Sequence, residues 1–403
     1  MIRSCCSFLV VGLLAAGCAD LARAQPKERP DRSRGQKPGR QAGERPDRFL
    51  QWDKNKDGKL TRDELPQQLR GNFGRVDTDK DGFISRDEHN AVVRRNRQRR
   101  GAGTQQPPKI EGVEAKMDIP YADTDNPKQR LDLFLPKERK TDKPLPVVAF
   151  IHGGGWRGGD KRGGGRMVAP YVQTGDYAGA SIGYRLSGEA IWPAQIHDCK
   201  AAVRWLKAHA KEHNLDPDRI AVWGSSAGGH LVAMLGVTGD VKELEGKLGE
   251  HTDQDSRVAY VVDWFGPTEL LTMKDFPSNI DHDNAKSPES LLIGGAIQEN
   301  KEAAKNASPI TYVSKGDSPI LIMHGTEDKL VPYKQSEQFD AALAKAKVPS
   351  VFIPIQGAGH GRFNNPEVNR RVTQFLERHL LGKKVDISTD PITVRAAPRK
   401  PRR

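Results

Sequence analysis

The chain has 403 residues and a formal charge of +12, with 64 Lys and Arg against 52 Asp and Glu. That length buries one large core and leaves room for one small module. Four cysteines in 403 residues exclude a disulfide-stapled scaffold, and beyond Phe8 to Ala16 no apolar stretch is long enough to span a bilayer.

Arg3 precedes that apolar stretch, and Ala22-Arg23-Ala24 offers an A-x-A cleavage site before Gln25. Residues 1–24 therefore read as a secretory signal peptide, and a secreted or periplasmic location is expected. Lipoprotein anchoring at Cys18 ranks second, because Ala15 stands where leucine is usual three residues before the cysteine. Cleavage after Ala24 removes Cys5, Cys6 and Cys18, leaving Cys199 alone with no intrachain disulfide to form. The positive charge concentrates in three Pro-, Gly- and Arg-rich tracts, Pro26 to Arg48, Arg94 to Arg100 and Arg395 to Arg403, and the bounds drawn around them are a linker at 25–45, a linker at 94–115 and a basic tail at 384–403. The tracts have almost no apolar content, so disorder is expected there. Such tracts attract nucleic acid electrostatically. In an exported chain without interleaved aromatics, anionic envelope lipids or acidic polysaccharide rank ahead of it, and a merely solvated linker ranks first.

Between the linkers, residues 46–93 carry two twelve-residue stretches, Asp53 to Glu64 and Asp77 to Glu88. Oxygen donors fall at loop positions 1, 3, 5 and 9, a glycine at 6 permits the turn, and a glutamate at 12 can bind bidentately. In the first loop the ligands would be Asp53, Asn55, Asp57, the carbonyl of Lys59, Thr61 and Glu64. In the second they would be Asp77, Asp79, Asp81, the carbonyl of Phe83, Ser85 and Glu88. Both stretches resemble EF-hand loops, and the cofactor this implies is Ca²⁺. Leu60 and Ile84 are placed to meet as a short strand, and Phe49 and Phe73 to pack the entering helices. Pro66, Gly71 and Gly74 compress the segment between the loops, which argues against a sensor-like opening. The second loop has one more acid and should bind tighter. Extracellular modules bind calcium at about 10⁻⁴ to 10⁻³ M, which suits a structural or adhesive role.

Residues 116–383 alternate between strand and helix patterns. Leu131 to Leu135 alternates like an edge strand; Val147 to Ile151, Ala178 to Tyr184, Ile220 to Trp223, Val258 to Asp263, Ile320 to Met323 and Val351 to Ile355 read as buried strands. Trp192 to Leu215 and Pro366 to Leu381 carry helical spacing. This predicts an α/β doubly wound, mostly parallel sheet preceded by a small helical module. Met273 to Asn306, rich in charge and in Gly, Pro and Asn, reads as an insertion that roofs the strand ends and shapes the acyl or alcohol pocket.

The strand ends carry the chemistry. Gly224-Ser225-Ser226-Ala227-Gly228 matches G-x-S-x-G, a strained strand-to-helix turn that exposes one serine hydroxyl. A glycine-rich helix start also produces that pattern by chance, so its context decides. His152-Gly153-Gly154-Gly155-Trp156 follows an apolar strand and lets backbone N–H groups approach an oxyanion. Asp328 follows the strand ending at Met323, and His360 follows the last strand. The order Ser226, Asp328, His360 is that of an α/β-hydrolase triad. A serine needs a base, so His360 must lie within hydrogen-bond reach of Ser226, with Asp328 fixing its tautomer. Glu327 is the rival acid, but Asp328 holds the G-x-x-D position. His324, His230, His152 and His197 read as structural.

From about Asp118 to Leu381 the chain resembles the hormone-sensitive-lipase-like carboxylesterases, in the bacterial feruloyl-esterase-like and acetylxylan-esterase-like branch. His152 to Lys161, Asp263-Trp264-Phe265-Gly266-Pro267-Thr268, Ser308 to Val313 and Gly357 to Gly361 carry the resemblance. It implies the α/β-hydrolase fold, oxyanion donors at Gly154, Gly155 and Ala227 with Gly153 beside them, and a small-molecule or polysaccharide ester as substrate. Prolyl oligopeptidase-type peptidases share fold and triad order. They typically place tyrosine where this chain has Ala227, and the N-terminal residues are too few for their propeller. A calcium-dependent adhesion or scaffold protein with a silent hydrolase domain is the other alternative, and it would need a broken triad.

Overall fold

The structure is a computed structural model that describes residues 48–65, 73–92, 110–361, 363 and 365–394. The signal peptide, the 25–45 linker, most of the 94–115 linker and the last residues of the tail lie outside the described residues. The chain divides into two units, residues 1–104 and 105–403.

In the first unit, one-turn helices Arg48–Trp52 and Phe73–Val76 lead into the two acidic loops. Within the loops, β1 (Lys59–Leu60) pairs antiparallel with β2 (Ile84–Ser85), Leu60 facing Ile84. Phe49, Leu60, Leu65 and Ile84 form a small core with Phe73 packed against it. The strand pairing and both phenylalanine placements are those the spacing implies.

Among the described residues, the second unit is built on nine strands: β3 (Val113–Pro120), β4 (Arg130–Pro136), β5 (Leu145–Ile151), β6 (Ala178–Ile182), β7 (Leu215–Ser225), β8 (Tyr260–Trp264), β9 (Ile320–Gly325), β10 (Ser350–Gln356) and β11 (Ile392–Thr393). Their order is β11-β10-β9-β8-β7-β5-β6-β4-β3. All neighbours are parallel except β3 with β4 and β4 with β6. Every residue of β5 is buried because helices cover both faces. Val147, Ala149 and Ile151 join the core under helices Ala194–Ala208, Ala227–Val237 and Lys334–Ala346. Val148 and Phe150 join the one under Gly165–Val172 and Pro366–Leu380. The last helix shows how locally this is specified. Asn365 caps it by accepting from the Glu367 N–H at 2.9 Å, and Val368, Val372, Phe375 and Leu376 supply the inward stripe.

Three expectations are corrected. Leu131 to Leu135 is not at the edge, because β3 pairs outside it. Asp132 imitated a solvent-facing position, but it is buried and held by the Lys161 ammonium, which also reaches Asp118 at 2.6 Å. The helix expected over Trp192 to Leu215 ends at Ala208. A short turn, Ala210–His213, follows, and Asn214 in the left-handed region (φ 52°) redirects the chain into β7. The bounds 116–383 are too tight at both ends. β3 starts at Val113, and Ile392–Thr393 pairs with β10 although the bounds place it in the basic tail. Arg371 anchors that return by donating to the Ser388 carbonyl at 2.6 Å.

Candidate active site

Ser226 stands between β7 and the helix Ala227–Val237 at φ 56°, ψ −124°, a conformation costing a non-glycine residue roughly 1–3 kcal/mol. The flanking glycines make it attainable. A Cβ on Gly224 would lie 2.2 Å from the Gly228 carbonyl oxygen, and one on Gly228 would lie 2.2 Å from that of Ile151. Both obstacles are backbone, so neither can yield.

Three strand ends converge on this serine. The Ser226 hydroxyl donates to His360 Nε2 at 3.0 Å, and His360 Nδ1–H donates to Asp328 Oδ2 at 2.7 Å. Because an ionised carboxylate only accepts, the imidazole proton belongs on Nδ1, which leaves Nε2 free to take the serine proton. Asp328 is buried and fixed from both oxygens: Oδ1 accepts from the N–H groups of Leu330 at 2.8 Å and Val331 at 3.0 Å. Burial alone would raise its pKa, but hydrogen bonds from His324 and His360 outweigh that and hold it well below the usual carboxylate range.

His324 is the residue whose part the sequence did not disclose. Its Nε2–H points at the Val331 carbonyl (3.0 Å) and Asp328 Oδ2 (3.2 Å), while Nδ1 accepts from the Ser336 hydroxyl at 2.7 Å. It is a second donor on the same carboxylate oxygen. The only signal was its place four residues before Asp328. The rival acid, Glu327, is exposed. His230 is buried between the Trp156 indole N–H and the Ala307 carbonyl, and burial lowers its pKa to about 4, so it stays neutral. His197 packs under Gly246.

The glycine loop after β5 is braced from behind. His152 Nδ1–H donates to the Gly153 carbonyl at 2.8 Å, its ring stacks on Tyr184 at 4.3 Å, and the Tyr184 hydroxyl donates to the His152 carbonyl. Burial pushes His152 down to about 4, which keeps it a neutral brace. Gly154 and Gly155 take φ values of 118° and 59°, open to glycine. Gly153 lies against the elbow: a Cβ there would come within 2.5 Å of the Ser225 carbonyl oxygen. Among the described residues, the amides of Gly154, Gly155 and Ala227 donate to no acceptor. Donors left open beside a nucleophile are what a developing oxyanion requires.

Ser226, His360, Ala227 and the three glycines line a cavity of about 450 Å³, walled mainly by apolar side chains such as Phe265, Ile280, Leu330 and Val331. The segment expected as a roof supplies Ile280, Pro288 and Glu289. A cavity of about 550 Å³ between Tyr121, Asp125, Trp205 and His251 holds no nucleophile and base in contact.

In the first unit, Gly58 and Gly82 take φ values of 80° and 86°, so each loop turns where position 6 demands. One oxygen each of Asp77, Asp79 and Asp81 lies within 4.8 Å of the others. Asp77 Oδ1 is buried without a hydrogen-bond donor, which a cation would remedy. Burial opposes ionisation of Glu88, but N–H bonds from Ser85 and Thr78 win and lower its pKa to about 2. The second loop thus fits a hard divalent cation. In the first, Glu64 accepts from the Thr61 N–H at 2.8 Å, and Asp53 accepts from the Gly58 N–H at 2.9 Å.

A mostly parallel sheet, an elbow serine and a buried acid paired with a half-buried base at the strand ends define an α/β-hydrolase. More narrowly, the chain belongs to the BD-FAE family, whose model matches residues 131–343; an EF hand model matches residues 47–68 and 72–93. Esterase LipC of Mycobacterium tuberculosis is 32% identical over 241 residues, 59% of this chain and 58% of LipC. The chain spans little more than half the length of such curated relatives. A truncated carbohydrate esterase from gut microbiota is 33% identical with a TM-score of 0.64, covering 69% of this chain and 100% of that one. A bifunctional GH43-CE protein of Bacteroides eggerthii, also 33% identical, has a TM-score of 0.61 and covers 66% of this chain and 35% of its own.

Proposed function

We propose that the protein is a secreted serine carboxylesterase that hydrolyses short acyl or aromatic esters, including esters on polysaccharide, with a calcium-binding EF-hand pair in front of the catalytic unit. The observation that carries this reading is the continuous relay Ser226 Oγ to His360 Nε2 and His360 Nδ1 to Asp328 Oδ2, at 3.0 and 2.7 Å. His360 takes the proton as Ser226 attacks the ester carbonyl, and the amides of Gly154, Gly155 and Ala227 receive the oxyanion. His360 returns the proton to the leaving alkoxide. It then activates water against the acyl-enzyme by the same path. Asp328 holds the imidazole's orientation and stabilises its cation.

The aligned esterases support ester rather than peptide hydrolysis, as does Ala227 at the position after the nucleophile. An intact relay weighs against a silent scaffold domain. In the loops, Asp77, Asp79, Asp81 and Glu88, with the Phe83 carbonyl and Ser85, would hold the tighter calcium ion, and Asp53, Asn55, Asp57, Thr61 and Glu64, with the Lys59 carbonyl, the weaker. Bound calcium supplies positive charge that gathers each loop's carboxylates. Secretion rests on the leader-like sequence at 1–24.

The decisive experiment is hydrolysis of p-nitrophenyl acetate together with covalent trapping by an alkyl phosphonate. Wild type should turn over and gain one phosphonyl group on the peptide bearing Ser226, and Ser226→Ala should do neither. Undiminished turnover by Ser226→Ala would end the assignment.

A further inference from the structure

The cavity beside Ser226 has one feature its apolar walls do not explain. Glu289, from the roof helix Pro288–Ile293, lines it while only 3% exposed. Among the described residues no N–H or O–H donates a hydrogen bond to either of its oxygens, and Oε2 is fully enclosed. His282 Nδ1 lies 3.2 Å from Oε2, within ion-pair range but outside hydrogen-bonding alignment, and is itself buried and tied through Nε2 to the Ser278 hydroxyl at 3.0 Å. A buried carboxylate without donors is costly. Where such a group borders a substrate cavity, the missing donor is one the substrate brings.

We propose that Glu289, steadied by His282, is a specificity-determining residue that accepts a hydrogen bond from a hydroxyl on the alcohol part of the substrate, so that partly acylated sugars are preferred over simple alkyl or aryl esters. The proposal deepens the esterase reading and rests on it. Ile280, Leu330 and Val331 offer the rest of the substrate no competing acceptor side chain. An ester without a hydroxyl would enclose the carboxylate and give it no hydrogen-bond donor. A sugar hydroxyl next to the ester supplies one, and a site built around a polar group that lacks a donor rejects analogues that cannot provide it.

The test compares kcat/KM for three acetates: a monoacetylated xylobiose with a free neighbouring hydroxyl, p-nitrophenyl acetate, and acetylcholine, a cation without a donor. Each is measured with wild type, Glu289→Gln and Glu289→Leu. The ratio of sugar acetate to p-nitrophenyl acetate should fall roughly ten- to a hundredfold in Glu289→Leu, the worth of a hydrogen bond to a charged group. It should fall only about threefold to tenfold in Glu289→Gln, whose amide oxygen still accepts. Should Glu289→Leu fail to fold, the near-isosteric Glu289→Gln decides alone. A ratio unchanged within about twofold would overturn the proposal, and so would a wild-type preference for acetylcholine that Glu289→Gln abolishes. Turnover of p-nitrophenyl acetate surviving in Ser226→Ala would instead bring down the esterase reading beneath it, so the two failures are separable.

Discussion

Replacing Asp328 with Asn changes one atom and should stop the relay. The Leu330 and Val331 amides, at 2.8 and 3.0 Å from Oδ1, are donors that only an oxygen can satisfy. The new side chain therefore keeps its oxygen there and turns its NH₂ to where Oδ2 lay, 2.7 Å from His360 Nδ1. An NH₂ donates, so His360 must accept at Nδ1 and carry its proton on Nε2, where it can no longer receive the serine's. In Ser-His-Asp hydrolases this wrong tautomer lowers kcat about 10⁴-fold, equivalent to about 5.5 kcal/mol of barrier. His324, 3.2 Å from the same atom, faces the same conflict, so some stability is lost as well, on the order of 1–3 kcal/mol. Turnover of p-nitrophenyl acetate and the thermal midpoint, measured side by side, separate the two effects. A folded Asp328→Asn enzyme within about tenfold of wild type would show that Asp328 does not set the tautomer of His360.

Burial pushes Asp263 up to about 7, opposed only by the Gly266 N–H bond. Its folded value exceeds the unfolded one near 4, so the unfolded chain binds fewer protons between those values and stability falls as pH rises through that window. Asp263→Asn should therefore match wild type near pH 4 and exceed it by up to about 4 kcal/mol near pH 8 in urea denaturation; a pH-independent difference would refute this. Gly228→Ala should lower the thermal midpoint and abolish turnover, since its Cβ meets backbone at 2.2 Å, whereas Gly163→Ala, with nothing within 4 Å, should be silent in both. Calorimetric titration with calcium should show two events, the tighter one weakened about tenfold or more by Glu88→Gln; unaltered binding would count against the second loop. Cys199 is buried and its thiol is pushed up by burial, so a disulfide reagent should label a chain expressed from Gln25 only on unfolding, and prompt labelling of the native protein would contradict its placement.

The residues legible from sequence alone are those whose chemistry has a fixed local spacing. The elbow is such a case: Gly224 is dictated by Gly228 four residues on, and although Gly228 answers to the Ile151 carbonyl on another strand, the pair keeps the fixed G-x-S-x-G spacing. The EF-hand loops are another, with Leu60 opposite Ile84 following from position 8 of each. The triad could be assembled because each member sits at the end of an uninterrupted apolar strand, a signal visible without knowing the strand order. What escaped depends on partners distant in the chain. Asp132 imitated a solvent-facing residue because Lys161, which neutralises it, lies on another element. His324 gave no hint that it shares Asp328 with His360. Glu289 was one acid among the charges of Met273 to Asn306, and only the folded roof places it against the catalytic cavity. The helix end at Ala208 was obscured because helical spacing continues past it toward Leu215.

The roof is attached in a manner that matters for how such enzymes diverge. The chain leaves the main body at Thr268 and Leu270 and returns at Ser308 and Ile310. These exits are fastened together: the Ile310 N–H donates to the Thr268 carbonyl at 3.1 Å, and the Leu270 N–H to the Ser308 hydroxyl at 3.0 Å. An excursion whose two feet are clamped side by side can be exchanged whole, because its replacement need only close the same short gap. Exchanging this cassette, which carries Ile280, Pro288 and Glu289, should therefore change the lining of the cavity while Ser226, His360 and Asp328 beneath it stay in place.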